Sequence, residues 1–401
     1  MRIVVLSADD PYIRGGAGGK HVHIKLFIKG LKKNGYKTIL ISPHLFNRYV
    51  MLLFYDYIGG IFSRILKNKN LAYLYRLYVV KYLLLYKFKT KVKNFDYIVC
   101  EDILSIEVAN MVSEKKKIFA VIHGPIVKEA INHHSINPNI KFPSINLMEK
   151  IEKSSYKKVS KIIAVDNNIK EYIASFNFPE EKIYVVYNAI DTDRFRLTNQ
   201  QEKIEIRKRL NFSEKKVIAL IPRRLVKKNG VIYAVKSLAY IKTNFPEDYK
   251  KLVFIIAGDG PERKEIEQLK RENNLENLHM LGYIAHDKIV DYFKMSDIVI
   301  IPSIYSDEFS EATSLSALEG LATKNLVIAS RVGGLKEIIK CHETGVLVED
   351  KNVEELGNKI LDFVNNKDRY TSIIERGARY CQNNHRYDLH AKKIAEILFK
   401  E

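Results

Sequence analysis

The hydrophobic positions of this chain fall into twelve short apolar runs, six in each half of the sequence. They cover 2–7, 37–42, 96–100, 118–122, 161–165 and 183–187, and then 216–221, 251–257, 279–283, 298–302, 325–330 and 345–348. Runs of this length that are rich in Ile and Val are typical of buried strands. The pattern therefore predicts two sheets, one in each half.

The segments between the runs have turn and helix character. A glycine-rich turn at 15–19 precedes an amphipathic helix over 20–33, and the C-terminal segment is helical from about 353 onward. Strand, glycine loop, helix and strand in this order begin a doubly wound α/β domain, and the same alternation restarts at 216. A polar segment from 198 to about 208 marks the predicted crossing between the two domains.

Length and composition support this interpretation. A chain of 401 residues is long for one core, and 46% hydrophobic with 28% charged residues is typical of globular proteins. Three cysteines without a short spacing indicate a reducing compartment, so we expect a cytoplasmic protein. The N-terminal apolar run is too short for a secretory signal, and no uncharged run reaches the ~20 residues of a membrane-spanning helix.

The net charge of +19 favours anionic partners, and part of it is concentrated in 48–93. That segment holds ten basic residues and one acid, Asp56, with many tyrosines and leucines between them. Basic amphipathic helices with aromatic residues bind anionic membrane surfaces. The alternative is a pair of helices packed on the sheet with lysine side chains reaching solvent. A nucleic-acid groove is not expected, because no recognised binding module surrounds the segment.

Candidate anion-binding groups cluster in the second half. Residues 222–230 follow a predicted strand and carry Arg223, Arg224 and Lys228, which suit phosphate groups. Thr313 and Ser314 precede a predicted helix, whose N-terminus offers free N–H groups to a phosphate. Glu319 lies about one turn inside that helix, where it could accept hydrogen bonds from ribose hydroxyls, and Glu311 stands eight residues earlier. A capped surface helix with two solvated glutamates is the alternative.

Histidines offer one further candidate. His123 follows the strand predicted at 118–122, and ligands of open α/β sheets bind at the carboxyl ends of strands. A hydrogen-bonded turn histidine is the alternative. The pairs 133–134 and 21/23 have no cysteine or carboxylate at metal-ligand spacing, so we expect no metal site.

With these features in order, the chain resembles the retaining glycosyltransferases of family 4, which have the GT-B fold. Asn188 to Asp191 with Phe195 is similar to the family's N-G-[IV]-D…F, and the basic loop to its G-R-L-x-x-x-K-G. The turn at 258–261 is similar to G-x-G-P, 311–319 to the E-x7-E motif, and 332–334 to V-G-G. Pro222 and Ala312 stand where the family usually has glycine.

The resemblance implies two Rossmann-like domains with a cleft between them. They are an acceptor domain at 1–197 and a nucleotide-sugar-binding domain at 198–375, and a C-terminal helix at 376–401 packs back on the first domain. It implies that Arg223 or Arg224 with Lys228 binds the donor's diphosphate. It also implies that Glu319 holds the ribose, Glu311 contacts the donor sugar, and His123 lies near that sugar. The complete set of predicted donor-binding residues is Gly16, Arg224, Gly258, Thr313, Ser314, Leu315 and Glu319, and the predicted catalytic residues are His123, Glu311, Arg223 and Lys228.

The resemblance implies that the protein transfers a sugar from a UDP- or GDP-linked donor to a glycan, a lipid-linked acceptor or another acceptor. The anomeric configuration would be retained, with no metal or other cofactor. Independently of the resemblance, the residues of 48–93 leave two expectations open, contact with the inner face of a membrane or packing on the fold. Two alternatives stay open. One is another GT-B enzyme, such as a phosphorylase or a nucleotide-sugar epimerase, and the other is a non-enzymatic protein that binds membranes or nucleic acid.

Overall fold

A computed structural model describes residues 1–12, 18–43, 60–61, 64, 67–132, 135–143, 145–305 and 313–399. The chain divides into two compact units. Unit 1 comprises Met1–Tyr187 and Tyr387–Glu401, and unit 2 comprises Asn188–Arg386.

Unit 1 alternates strands and helices around a six-stranded sheet. Its elements in chain order are β1 (Arg2–Leu6), α1 (Gly19–Lys33), β2 (Lys37–Ile41), α2 (Lys69–Lys91), β3 (Tyr97–Cys100), α3 (Ile103–Asn110), β4 (Ile118–Ile122), α4 (Ile126–Asn132), α5 (Ile145–Tyr156), β5 (Lys161–Ala164), α6 (Asn167–Ala174), β6 (Ile183–Val185) and, after unit 2, the last helix (Tyr387–Phe399).

Unit 2 repeats the same alternation around a second six-stranded sheet. Its elements in chain order are α7 (Gln200–Arg209), β7 (Val217–Ile221), α8 (Val231–Asn244), α9 (Pro246–Tyr249), β8 (Leu252–Ala257), α10 (Arg263–Glu272), β9 (Leu278–Gly282), α11 (Ile289–Met295), β10 (Ile298–Ile301), α12 (Leu315–Ala322), β11 (Leu326–Ser330), α13 (Leu335–Ile338), β12 (Val346–Val348), α14 (Val353–Asn365) and α15 (Lys367–Asn384), so the last helix of unit 1 is α16.

Both sheets are parallel throughout. The strand orders are β2-β1-β3-β4-β5-β6 in unit 1 and β12-β11-β10-β7-β8-β9 in unit 2. β4, β7, β8, β10 and β11 are buried at every position, as expected when helices cover both faces of a parallel sheet. All twelve predicted strands are present, so the predicted fold class, two Rossmann-like α/β domains, is confirmed.

The change from unit 1 to unit 2 falls at 187/188, whereas the sequence predicted 197/198. The residues after Tyr187 are tied into unit 2 by hydrogen bonds and ring contacts. Ile190 N donates to His385 O at 2.9 Å, and the Phe195 ring packs 5.5 Å from the Phe293 ring. The return to unit 1 falls at 386/387, while the sequence predicted 375/376, because α15 packs on α12 and β11 of unit 2. α16 then packs on α1, where Gly30 leaves room for the Tyr387 carbonyl.

The basic segment predicted at 48–93 is described in part, since 48–59, 62–63 and 65–66 lie outside the described residues. Its second half forms α2, which buries Val80, Leu84 and Phe88 within unit 1. The opposite face exposes Tyr78, Tyr82 and Tyr86, with 61%, 45% and 59% of each residue accessible to solvent. None of the described helices, α2 included, is both long and apolar enough to cross a bilayer.

Candidate active site

The basic loop after β7 meets the N-terminus of α12. Arg223 Nη1 donates to Ser314 Oγ at 3.3 Å, and Nη2 donates to Ser303 Oγ at 2.9 Å and to Asn229 Oδ1 at 2.7 Å. β7 and β10 are neighbours in the sheet, so their carboxyl ends bring the loop and the helix together. The loop that carries Arg223 therefore lies beside Ser303 at the end of β10 and Ser314 at the start of α12.

Arg223 and its neighbour Arg224 have different environments. The Arg223 side chain lies at the helix N-terminus and is half-buried, whereas Arg224 is exposed. Arg224 contributes its main-chain carbonyl, which accepts a hydrogen bond from Asn229 Nδ2 at 2.8 Å. Of the two arginines that the sequence left as alternatives, Arg223 is therefore the one whose side chain reaches the N-terminus of α12.

The N-terminus of α12 lies beside the Arg223 side chain. Ser314 is the N-cap residue, and its hydroxyl makes no capping bond to the first turn within the described part of the chain. Ser314 and Thr313 are buried, while Leu315 is half-buried. Because the first-turn N–H groups of a helix have no intrahelical partners, they can bind a phosphate together with Arg223.

Glycines let the backbones in this region approach closely. A side chain at Gly258 would place its Cβ 1.9 Å from Arg223 O, and one at Gly230 would place it 2.0 Å from Pro302 O. Gly230 also has a φ of 60°, which disfavours other residues. Ile304 N donates to Lys228 O at 3.0 Å, so the backbone at Lys228, a predicted site residue, is held against the segment that follows β10. Gly258 thus supports the loop that carries Arg223.

Glu319 lies in the second turn of α12 and is buried. Its Oε1 is 3.1 Å from His286 Nε2, and His286 O accepts a hydrogen bond from Arg194 at 3.0 Å. The Phe195 ring lies 5.7 Å from the His286 ring. The segment from Asn188 to Phe195, singled out by its motif, therefore supports the histidine that contacts Glu319. His286 was not predicted from the sequence, because it lies 33 positions before Glu319.

A second set of polar groups lies in unit 1, at the carboxyl ends of β1, β3 and β4. Lys20 Nζ lies 2.8 Å from Asp102 Oδ2 and 2.9 Å from Asp9 Oδ2. Burial acts to lower the pKa of Lys20, but the two carboxylates outweigh it and raise the pKa above its usual value. Asp102 also accepts hydrogen bonds from the Ala8 and Ser105 amides and so caps α3.

The predicted residue His123 follows β4, and its Nε2 lies 2.9 Å from Glu101 Oε2. His23 Nε2 approaches the same oxygen at 3.6 Å. Burial and the charge of Lys20 lower the pKa of His123 to about 3, so its imidazole is neutral. Burial also raises the pKa of Glu101 to about 7, against the charges of His23 and Lys20. Glu101 directly follows a predicted strand, a position at which a carboxylate could have been noted from the sequence.

His23, Glu101 and His123 each place one possible ligand atom within 4.8 Å of the others. Among the described residues, these three therefore form a group that could hold a cation. Along the sequence no carboxylate stands near His23, but the fold supplies Glu101. The direct 2.9 Å contact between His123 and Glu101 has the length of a hydrogen bond, and we assign no metal to the cluster.

Two predicted residues, Gly16 and Glu311, lie outside the described residues, as do the histidines at 133–134.

Comparison with known proteins extends over both units. The sequence profile described as Glycosyl transferases group 1 matches residues 202–380, and the profile described as Glycosyltransferase Family 4 matches 17–194. An uncharacterised glycosyltransferase of Methanocaldococcus jannaschii is 31% identical over 60% of this chain and 58% of its own length.

Two further proteins are more distant. A GDP-mannose-dependent alpha-(1-6)-phosphatidylinositol monomannoside mannosyltransferase of Mycobacterium tuberculosis is 23% identical over 58% of this chain and 60% of its own. The matches to both curated relatives span less than two thirds of those proteins. The structure of sucrose-phosphate synthase from Thermosynechococcus elongatus superposes with a TM-score of 0.72 at 17% identity, over 99% of this chain and 98% of that one. The fold and the two profile matches together show that this chain belongs to the family 4 glycosyltransferases, with the GT-B fold.

Proposed function

We propose that this chain transfers a glycosyl unit from a nucleotide sugar to a glycan or lipid-linked acceptor. The configuration at the anomeric carbon is retained, and no metal ion or other cofactor takes part. One observation carries the proposal: Arg223 binds Ser314 at the N-terminus of α12, and Glu319 lies in the next turn of that helix. An anion site and a hydrogen-bond acceptor at this spacing suit the diphosphate and the ribose of a nucleotide.

The proposed mechanism uses charge stabilisation. Breaking the bond between sugar and phosphate leaves an oxocarbenium-like sugar and a diphosphate that gains negative charge. Arg223, Lys228 and the N–H groups at the start of α12 stabilise that charge where it develops. His123 stabilises the sugar, and Glu311 holds the sugar's hydroxyl groups, as the family resemblance implies. Exclusion of water prevents hydrolysis of the donor.

Ribose recognition by Glu319 is tested by calorimetry after a thermal-shift panel of uridine and guanosine nucleotides has identified the base. Glu319→Ala is expected to weaken binding of the ribonucleoside diphosphate by about 10- to 100-fold, since a hydrogen bond to a charged group contributes about 1.5–3 kcal/mol. The 2′-deoxy and 3′-deoxy forms of the same nucleotide should bind the wild-type protein more weakly, and this difference should disappear in the variant.

Glu354→Ala, at an exposed position of α14, is the control and should bind like the wild-type protein. Equal affinity of the Glu319 variant and the wild-type protein for the ribonucleotide would refute the ribose contact. Failure of every nucleotide to bind the wild-type protein would refute the proposed function itself.

We further propose that α2 brings the enzyme to the inner face of a membrane, in the cytoplasm, where a lipid-linked acceptor is available. Its exposed tyrosines recur every fourth residue, at 78, 82 and 86, and Lys89 and Lys91 are exposed at its C-terminal end. Tyrosine and lysine in this arrangement suit the interface of an anionic bilayer. The mycobacterial relative is named for a phosphatidylinositol mannoside, which is a lipid.

Sedimentation with anionic vesicles tests this surface. Replacing Lys89 and Lys91 with glutamine is expected to lower partitioning by about 30-fold, because each lysine near the surface contributes about 1 kcal/mol. Lys115→Gln with Lys117→Gln removes the same charge from another exposed site of unit 1 and should leave partitioning unchanged. Equal losses in the two double variants would mean that net charge, and not α2, determines binding.

A further inference from the structure

Glu101 is a buried carboxylate that the proposed mechanism does not use. It follows β3, and its backbone is fixed because Glu101 N donates to Leu6 O at 2.9 Å. Its side chain is fully buried and extends to His123, which follows the neighbouring strand β4. The two functional groups are therefore positioned by adjacent strand ends of one sheet.

The contacts of the Glu101 carboxylate oxygens are mainly with two histidines. Oε2 lies 2.9 Å from His123 Nε2 and 3.6 Å from His23 Nε2, and Oε1 is buried without a hydrogen-bond partner in the described ranges. Asp102, the next residue, instead binds two backbone amides and Lys20. Asp102 thus has a structural role, while the contacts of Glu101 point to the two imidazoles.

Packing fixes the plane of the His123 ring. The His23 ring meets it edge to face, with centroids 4.6 Å apart, and the His390 ring of α16 lies 5.3 Å from His23 on the same unit. Among the described residues, the charged groups that face this cluster are Lys20 of α1 with its partners Asp9 and Asp102. His123 itself keeps 13% of its side chain accessible, so a ligand can reach it.

The protonation states of His123 and Glu101 decide which of them donates the hydrogen bond between them. A neutral histidine carries one N–H, and an ionised carboxylate can only accept hydrogen bonds. His123 is neutral, as described above, so an ionised Glu101 requires the proton on Nε2. Nδ1 is then the nitrogen that carries the lone pair. A protonated Glu101 would instead donate to Nε2 and put the proton on Nδ1.

We propose that Glu101 is a positioning residue that holds His123 as the Nε2–H tautomer and leaves Nδ1 as a hydrogen-bond acceptor for the donor sugar. The tautomer follows from the contacts within unit 1, while the sugar contact rests on the proposed function. An acceptor nitrogen backed by a carboxylate stabilises positive charge on the sugar and accepts a hydrogen bond from one of its hydroxyl groups. Glu101 would therefore contribute to turnover more than to donor affinity.

The tautomer is measured by long-range 15N–1H NMR of the 15N-histidine-labelled full chain at pH 8, above the pKa of about 7 of Glu101. The His123 signals are assigned by their loss in His123→Gln. We expect the wild-type protein to show the Nε2–H tautomer alone, and Glu101→Gln to show a mixture or the Nδ1–H form. The Nδ1–H tautomer in the wild-type protein would overturn the proposal, whether or not the protein has transferase activity.

Kinetics supply the second readout. Glu101→Gln is expected to lower kcat by about 100-fold with little change in the donor KM, since loss of the carboxylate that orients a catalytic histidine costs at least this much elsewhere. Glu101→Asp should restore part of the loss. Glu107→Gln is the control, because Glu107 is another carboxylate of unit 1, partly buried and paired with Lys158 at 2.6 Å.

The possible outcomes separate the two proposals. If the wild-type protein transfers sugar and Glu101→Gln is as active as Glu107→Gln, Glu101 has no positioning role. If Glu101→Gln lowers kcat and the donor affinity equally and also lowers the melting temperature, its role is structural and the proposal is wrong. If no nucleotide sugar reacts with the wild-type protein, the proposed function fails, and the NMR experiment still decides the tautomer.

Discussion

Replacing Arg223 with methionine is expected to lower the turnover number for glycosyl transfer by about 10²–10³-fold, the loss typical when one preorganised donor is removed from a site of developing charge. Arg223 is suited to this role because its guanidinium lies at the N-terminus of α12, held by Ser303 and Asn229. The charge and the helix N-terminus then act on the same leaving group. Methionine keeps most of the volume of the side chain and removes its hydrogen bonds.

Arg224→Met is the matched control, because it removes the same charge one residue further along an exposed part of the same loop. Its expected effect is about 0.5 kcal/mol, or about twofold in turnover, as for surface substitutions. Melting temperatures of both variants show whether loss of the Asn229 and Ser303 contacts unfolds the loop. Equal losses of turnover in the two variants, with unchanged stability, would contradict the assignment of the diphosphate to Arg223.

The two arginines also mark a limit of prediction from sequence. Side chains of successive residues in an extended segment point in opposite directions, so only one of two adjacent arginines can face a given ligand. The family motif places its arginine before a leucine, as Arg224 stands here, whereas the structure turns Arg223 toward α12. A motif fixes which loop carries the charge, but the path of the backbone decides which residue faces the helix.

The strands were predictable for a physical reason. A strand covered by helices on both faces must be apolar at every position, so β7 and β8 stand out as uninterrupted runs between polar segments. The boundary between the units was less accessible, because Asn188 and its neighbours leave a strand of unit 1 but bond to His385 of unit 2. Polarity alone does not reveal which unit such a connection joins.

Contacts between distant residues were the least accessible from the sequence. Glu101 and His123 are 22 positions apart, and His286 and Glu319 are 33 apart, and each pair meets only because its elements are neighbours in the fold. The sequence predicted one member of each pair from a motif or a strand end. The other member of each pair could be found only from the fold, that is, from the strand order β1-β3-β4 in unit 1 and the packing of α12 in unit 2.

Replacing Arg207 with methionine is expected to lower the free energy of unfolding of unit 2 by about 3–5 kcal/mol, the usual cost of breaking a buried ion pair by removing one partner. Arg207 of α7 is 3% exposed and pairs with Asp297 Oδ2 at 2.7 Å. It also donates to the carbonyls of Met295, Glu214 and Lys216, so its loss leaves buried acceptors unsatisfied. Urea denaturation followed by circular dichroism measures the change.

Arg209→Met is the matched control in the same helix, because Arg209 pairs with Asp291 at the exposed surface and should contribute only about 0–1 kcal/mol.

The effect of Arg207→Met on stability should depend on pH, because its partner is a titratable carboxylate. Burial acts to raise the pKa of Asp297, but Lys203 and Arg207 outweigh it and hold the pKa below its usual value. The stabilisation is therefore complete above the unfolded pKa of about 3.9 and is lost as pH falls through the lower folded pKa. The difference between Arg207→Met and the wild-type protein should narrow below about pH 4, and an equal difference at pH 7 and pH 3 would show that Asp297 is not the partner that matters.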